Sequence, residues 1–251
     1  MRRYRAYLFD LYGTLIDIRT DEWAAQLWKK MAILYGYYGA NYTYKELGKA
    51  YGELVGKEKR AAKRRHPEYT VIDIKIEKVF RRLFTRKGVK PKKSAVLEFC
   101  EVFRCFSTRF LKLYDGVIEL LDTIKANGGR IYLLSNAQRT FTENELNSLG
   151  LTPYFDGICI SSDEECSKPD AQYFQILFDR YGLKKDESIM VGNDYISDIG
   201  GAADFGIDSL YIHQAISPDI DGELRSTYTV MDGDVYKMID ILFAGAKNQR
   251  D

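Results

Sequence analysis

The segment Tyr7-Leu8-Phe9-Asp10-Leu11-Tyr12-Gly13-Thr14-Leu15 is a short apolar run that meets a carboxylate and then a glycine. The apolar run predicts a strand, and Gly13 permits a sharp turn immediately after it. Asp10 is therefore expected at the carboxyl end of a strand, the edge at which open α/β sheets bind ligands. A carboxylate placed there can offer an oxygen to a substrate while backbone groups of the turn face the same point. Asp and Gly are also ordinary turn formers, so this segment alone leaves a plain strand-and-turn reading open.

Beyond Leu15 the pattern is helical for about a hundred residues. Asp21-Glu22 open an amphipathic stretch that carries Trp23, Leu27, Trp28, Met31 and Leu34. Further helices are predicted over 43–65, 72–87 and 94–113, the last two separated by Gly88 and Pro91. With no strand pattern between them, residues 17–113 read as an inserted all-helical cap domain with its own small core. Residues 1–16 and 114–251 then form the main domain.

From Tyr114 onward, strands and helices alternate. Strands are predicted over 130–136, 157–161, 188–194, 209–213 and 228–231, and helices over 116–127 and 169–181, around 144–149 and from near Ser197. Gly128-Gly129 ends the first of these helices. This alternation predicts an α/β fold, a doubly wound parallel sheet of Rossmann-like type with helices on both faces. Asp10, Ser135, Asn136, Asn193 and Asp194 all finish predicted strands, so a parallel sheet brings them to one edge. Lys168, at the start of the helix after the third strand, reaches the same edge. Five strand-end polar positions in agreement leave little room for a purely structural account.

Composition narrows the function classes. The 251 residues are 45% hydrophobic and 29% charged, as in soluble globular chains. Lys plus Arg total 37 against 36 for Asp plus Glu, which provides no global field for nucleic acid or membrane binding. Met1-Arg2-Arg3 begins like a signal peptide, but the apolar run that follows is broken by Asp10 and is too short. Cys100, Cys105, Cys159 and Cys166 lack a zinc-type spacing and read as reduced thiols of a cytoplasmic protein. The basic stretches 57–65 and 81–93 read chiefly as solvated helix faces, or else as attractors of an anionic substrate. The tyrosines within 35–39 either line a pocket or pack the cap against the core. His66 and His213 have no ligand spacing and receive no catalytic role.

Taken together, these residues resemble the four motifs of the haloacid dehalogenase superfamily, most of whose members are phosphatases. Asp10 with Gly13-Thr14 is similar to the first motif, Ser135-Asn136 to the second, Lys168-Pro169 to the third, and Gly192-Asn193-Asp194 through Asp198 to the fourth. The helical insertion resembles the cap that some members carry between motifs one and two. The resemblance implies that Asp10 attacks phosphorus to form an aspartyl-phosphate. It implies a Mg²⁺ held by Asp10, the Tyr12 carbonyl and either Asp194 or Asn193, with Asp194 preferred. It also implies that Lys168 adds a second cation, that Ser135, Asn136 and the Tyr12-Gly13-Thr14 loop bind phosphate oxygens, and that Asp198 orients Lys168 or a metal-bound water. The expected partner is a small phosphorylated metabolite; the sequence assigns no oligomeric state.

Two positions depart from the phosphatase pattern. Those enzymes usually carry a second Asp two residues after the nucleophile, and here that residue is Tyr12, a poor base near neutrality at an unperturbed pKa of about 10. Asn193 stands where an Asp often follows the glycine. Tyr12 also matches true 2-haloacid dehalogenases, in which the Asp attacks carbon without a metal and an arginine near the start of the cap gathers the halide. Between Thr20 and Val55 this chain has Lys29, Lys30, Lys45 and Lys49 but no Arg, and it keeps both Asp194 and Asp198, which together favour phosphate. A third reading is a weakly catalytic or non-catalytic binding module. Tyr12 supports that reading; the retention of Asp10, Lys168, Asp194 and Asp198 opposes it.

Overall fold

The computed structural model describes residues 4–243. The Met1-Arg2-Arg3 start therefore lies outside the described residues. Among them are eight strands: β1 (Ala6–Phe9), β2 (Ile16–Thr20), β3 (Thr108–Leu113), β4 (Arg130–Ser135), β5 (Gly157–Ile160), β6 (Ser188–Gly192), β7 (Asp208–Ile212) and β8 (Tyr228–Val230). Six of them make one parallel sheet in the order β5-β4-β1-β6-β7-β8. Chain order reverses between β1 and β6, so the crevice at their carboxyl ends is the switch point of a doubly wound sheet.

Ten α-helices accompany the strands: α1 (Ala25–Tyr37), α2 (Tyr44–Arg65), α3 (Ile76–Thr85), α4 (Lys93–Ser107), α5 (Val117–Ala126), α6 (Arg139–Ser148), α7 (Ser161–Glu164), α8 (Ala171–Tyr181), α9 (Gly201–Phe205) and α10 (Val235–Phe243). Side chains alternate across a strand, and both faces of this sheet are covered, which is why its strands read as continuous apolar runs. Tyr7 and Phe9 pack with Ile131, Leu133 and Val191 beneath α5 and α10. Ala6 and Leu8 face the other way, with Leu134 and Met190, against Phe174 and Leu177 of α8 and Phe205 of α9.

Helices α1 to α4 bury a separate apolar cluster, joined from the sheet side by Phe141 of α6. Helix α2 begins with a capping box in which Thr43 and Glu46 satisfy each other's backbone N–H groups. Within the cluster the Phe99 ring lies 4.7 Å from both Tyr35 and Phe84. Tyr35 is fully buried there, whereas Tyr37 is exposed and Tyr38 sets its ring edge against Phe99. Tyr35 and Tyr38 thus pack the helices, and none of the tyrosines of 35–39 lines the cleft.

The helix predicted over 94–113 is shorter than expected. It ends at Ser107, and β3 follows, paired antiparallel with β2. The antiparallel pairing of Thr108–Leu113 with Ile16–Thr20 outweighs the helical pattern that precedes it. This ribbon carries the chain out to the helices and back.

A second connection fixes the helical segment over the sheet edge. Asp170, which caps α8, accepts hydrogen bonds from the backbone N–H groups of Thr70 and Val71 and from the Thr70 hydroxyl. Asp73 N–H donates to the Glu165 carbonyl, and Ser167 N–H to the Val71 carbonyl. Buried Glu165 accepts from Arg65 at 2.8 Å and Lys78 at 2.6 Å, while buried Glu58 pairs with Arg82 at 2.9 Å. Part of the basic stretches is therefore spent neutralising buried acids. Phe99→Ala should lower unfolding free energy by about 3–5 kcal/mol in urea titration, the usual cost of emptying an aromatic core site.

Candidate active site

Asp10 extends β1 by one residue, its N–H bonding the Val191 carbonyl of β6 at 2.9 Å. The chain then turns at Gly13, whose φ of 81° lies in the left-handed region. A β-carbon at Gly13 would overlap the Asn193 side chain. That contact brings the turn after β1 directly onto the residue that follows β6. Asn193 Oδ1 accepts from the Thr14 hydroxyl at 3.3 Å, and its Nδ2 donates to Ser217 Oγ at 3.2 Å.

Lys168 completes the cluster. Asn136, at the end of β4, accepts from the Lys168 N–H at 2.8 Å and donates to its carbonyl at 3.0 Å, fixing the Lys168 backbone rather than pointing to the carboxylates. The Lys168 ammonium lies 2.7 Å from Asp10 Oδ1 and 2.7 Å from Asp198 Oδ1. Burial pulls this ammonium down, but Asp10 and Asp198 more than offset it, so its pKa is raised and it stays protonated. Burial pushes the Asp198 carboxyl up to about 7 against the opposing Lys168 charge. The other Asp198 oxygen accepts from the Asp194 N–H at 2.9 Å. Gly192 makes room for this arrangement, since a β-carbon there would overlap Asp198.

Ser135 donates to Asp10 Oδ1 at 3.3 Å. Both side-chain bonds to Asp10 thus fall on Oδ1, and Oδ2 has no hydrogen-bond partner among the described residues. Asp194 is oriented differently from the other acids. Its Oδ1 accepts from the N–H groups of Ile196 and Ser197, both at 2.9 Å, and so caps the turn over Tyr195–Gly200. That leaves Asn193, rather than Asp194, with its side chain against the Gly13-Thr14 loop.

The Tyr12 hydroxyl is directed away from Asp10. It donates to Glu145 Oε2 and lies 3.0 Å from the Thr142 hydroxyl, and burial raises its pKa. Arg104 of α4 lies over the Tyr12 ring at 5.4 Å and donates to Glu145 at 2.6 Å. Glu145 and Arg104 carry no motif signal: they converge on Tyr12 from distant helices. A cleft of about 870 Å³ opens above this group, lined by Tyr12, Asn136 and Ser167 below and by Trp23, Tyr51 and Lys59 from the helical segment. No arginine from the start of that segment reaches it, but Arg104, from the end, does.

The oxygen donors here suit a hard divalent cation in type: the Asp10 carboxylate, the Tyr12 carbonyl, the Asn193 amide oxygen and the Asp194 carboxylate. Among the described residues no group of three or more His, Cys, Asp or Glu side chains is gathered as a metal centre. A cation would therefore depend partly on carbonyl and amide oxygens. In place of a carboxylate at position 12 there is a phenol already bound elsewhere.

The doubly wound sheet carries an Asp-Lys-Asp cluster at its switch point, the place where open α/β sheets bind ligands. Residues 4–206 match the model of the haloacid dehalogenase-like hydrolases, and the chain belongs to that family. It is 25% identical over 211 residues to the pyrimidine 5'-nucleotidase PynA of Streptococcus pneumoniae, covering 83% of each chain. It is 26% identical over 228 residues to the (S)-2-haloacid dehalogenase 4A of Burkholderia cepacia, covering 85% of each. The HAD phosphatase of Thermococcus onnurineus shares the fold, with a TM-score of 0.59 at 19% identity over 95% of this chain and 97% of that one.

Lys168→Met should reduce turnover at least about 100-fold and lower unfolding free energy by about 3–5 kcal/mol, because it leaves two buried carboxylates without their cation. Steady-state kinetics and urea titration of the same preparation check both.

Proposed function

We propose that the protein is a Mg²⁺-dependent phosphatase that transfers phosphate from a small phosphorylated metabolite to Asp10 and then to water. The observation that carries this reading is the buried Lys168 ammonium against Asp10 Oδ1, with Oδ2 of the same carboxylate unengaged. A carboxylate that attacks an anionic phosphate needs positive charge beside it, and Lys168 supplies part of that charge. Mg²⁺, held by Asp10, the Tyr12 carbonyl and Asn193 or Asp194, supplies the remainder when bound. Asp198 holds Lys168 in place. Ser135 and the N–H groups of the Gly13-Thr14 turn bind phosphate oxygens.

In this reading residues 17–113 act as a cap that shields the cleft, and residues 1–16 with 114–251 form the catalytic domain. The separate apolar cluster of α1 to α4 supports that division. A cytoplasmic setting accords with the four unpaired cysteines, and no helix among the described residues is long and apolar enough to cross a membrane.

One observation favours a second reading, a metal-independent dehalogenase in which Asp10 attacks carbon. Halide departs without a proton, so that chemistry needs no acid where Tyr12 stands. Arg104 lends it limited support, since its charge is already matched by Glu145 and, at 3.6 Å, by Glu22. Phosphate release from phosphorylated metabolites that requires Mg²⁺ and is abolished in Asp10→Asn is the expected result. Halide release from 2-haloacids in the presence of chelator, without phosphatase activity, would reverse the order of the two readings.

A further inference from the structure

We propose that Glu22 is the catalytic acid of the cleft and gives its proton to the leaving oxygen of the phosphate ester, an inference that rests on the phosphatase reading. Two acids other than the Asp10 cluster line the cleft, Glu22 and Asp73, and only one of them is free to act.

When Asp10 attacks phosphorus, the bond between phosphorus and the ester oxygen breaks, and its electron pair goes to that oxygen. An alkoxide leaves slowly unless an acid protonates it in the same step. Position 12 carries no carboxyl group, and Lys168 is held between Asp10 and Asp198. Asp73 is committed to structure: it accepts from the Ile74 N–H at 2.7 Å, from Gln138 Nε2 at 3.1 Å and from Ser161 Oγ at 2.5 Å. The Glu22 carboxyl has no hydrogen bond among the described residues, and its one ion pair there is with Arg104 at 3.6 Å.

Geometry puts that carboxyl on the leaving side. Asp10 attacks from the sheet edge, and in an in-line displacement the leaving oxygen lies beyond phosphorus, toward the helical segment that bears Glu22. Arg104 spans the gap to the first loop, with its guanidinium 5.4 Å from the Tyr12 ring and 3.6 Å from Glu22. The chain around Glu22 is fixed from two directions. Asp21 N–H donates to the Ser107 carbonyl at the end of α4, at 2.8 Å, and Trp28 Nε1 donates to the Glu22 carbonyl at 3.0 Å.

Burial raises the Glu22 carboxyl, and Arg104, whose closer contact is Glu145 at 2.6 Å, opposes the shift only in part. Tyr51 and Lys59 of α2, with Asp73 and Tyr12, are the other titratable groups lining the cleft. Once the proton has gone, the new carboxylate faces the Arg104 charge. In the second step water attacks phosphorus, its proton passes to the Glu22 carboxylate, and the bond from Asp10 to phosphorus breaks with its electron pair returning to Asp10. Both groups are then restored.

The test measures phosphate release with Mg²⁺ from benzyl phosphate, which leaves as an alkoxide, and from 4-nitrophenyl phosphate, whose phenolate leaves without a proton. The isosteric Glu22→Gln should lower kcat/KM at least about 100-fold for benzyl phosphate and less than about threefold for 4-nitrophenyl phosphate. The second value also shows that the variant is folded. In the wild type, kcat/KM for benzyl phosphate should fall as pH rises through the Glu22 pKa, because the acid must be protonated, and Glu22→Gln should remove that limb. An equal loss for both esters, no loss for either, or the same split in Asp73→Asn instead of Glu22→Gln overturns the inference and leaves the phosphatase reading intact. No release from either ester by the wild type overturns both.

Discussion

A lysine ammonium buried between two carboxylates is the constraint on which the sheet edge depends. An isolated charge in that position would be several kcal/mol unfavourable even after relaxation, so Lys168 is stable there only because Asp10 and Asp198 both lie within 2.7 Å. Each partner must then be delivered with little freedom. Asp10 is set by the ladder between β1 and β6, Asp198 by a turn that Asp194 caps, and Lys168 by paired backbone bonds to Asn136. The strand ends do not simply collect polar residues; they solve one electrostatic problem.

That division of labour explains why the sequence was legible at the core and less so at the cleft. Asp10, Ser135, Lys168 and Asp198 sit at fixed places in a repeating strand–helix pattern, so their convergence follows from topology. Asp194 and Asn193 are adjacent, and only the direction of each side chain separates a cap from a residue at the Gly13 turn. A sequence does not carry that direction. Arg104, Glu145 and Tyr12 meet through α4, α6 and the first loop, and no spacing rule links elements so far apart. Sequence alone misplaces the end of α4 for a related reason: β3 owes its conformation to β2, nearly ninety positions earlier.

The basic stretches of the helical segment show how a charge pattern misleads when the partner is distant in sequence. Read alone, 57–65 and 81–93 are helix faces for water or for an anion. Arg65 and Arg82 from these stretches, with Lys78 from between them, instead surround Glu58 and Glu165, both nearly inaccessible to solvent. Removing any one cation would leave a buried carboxylate undercompensated, a larger effect than the loss of a surface ion pair.

This ionic cluster and the Asp170 bonds act on the same short piece of chain. Residues 165–170 carry Glu165, which grips α2 and α3, and Asp170, which grips Thr70 and Val71, with Lys168 between them. The residue that must hold its position between Asp10 and Asp198 is therefore flanked on both sides by attachments to the helical segment. Charge-assisted bonds of this kind are stronger and more directional than neutral ones. The loop bearing the site's cation and the wall of the cleft above it, which includes Val71 and Ser167, are thereby held in one geometry by contacts that do not touch Asp10.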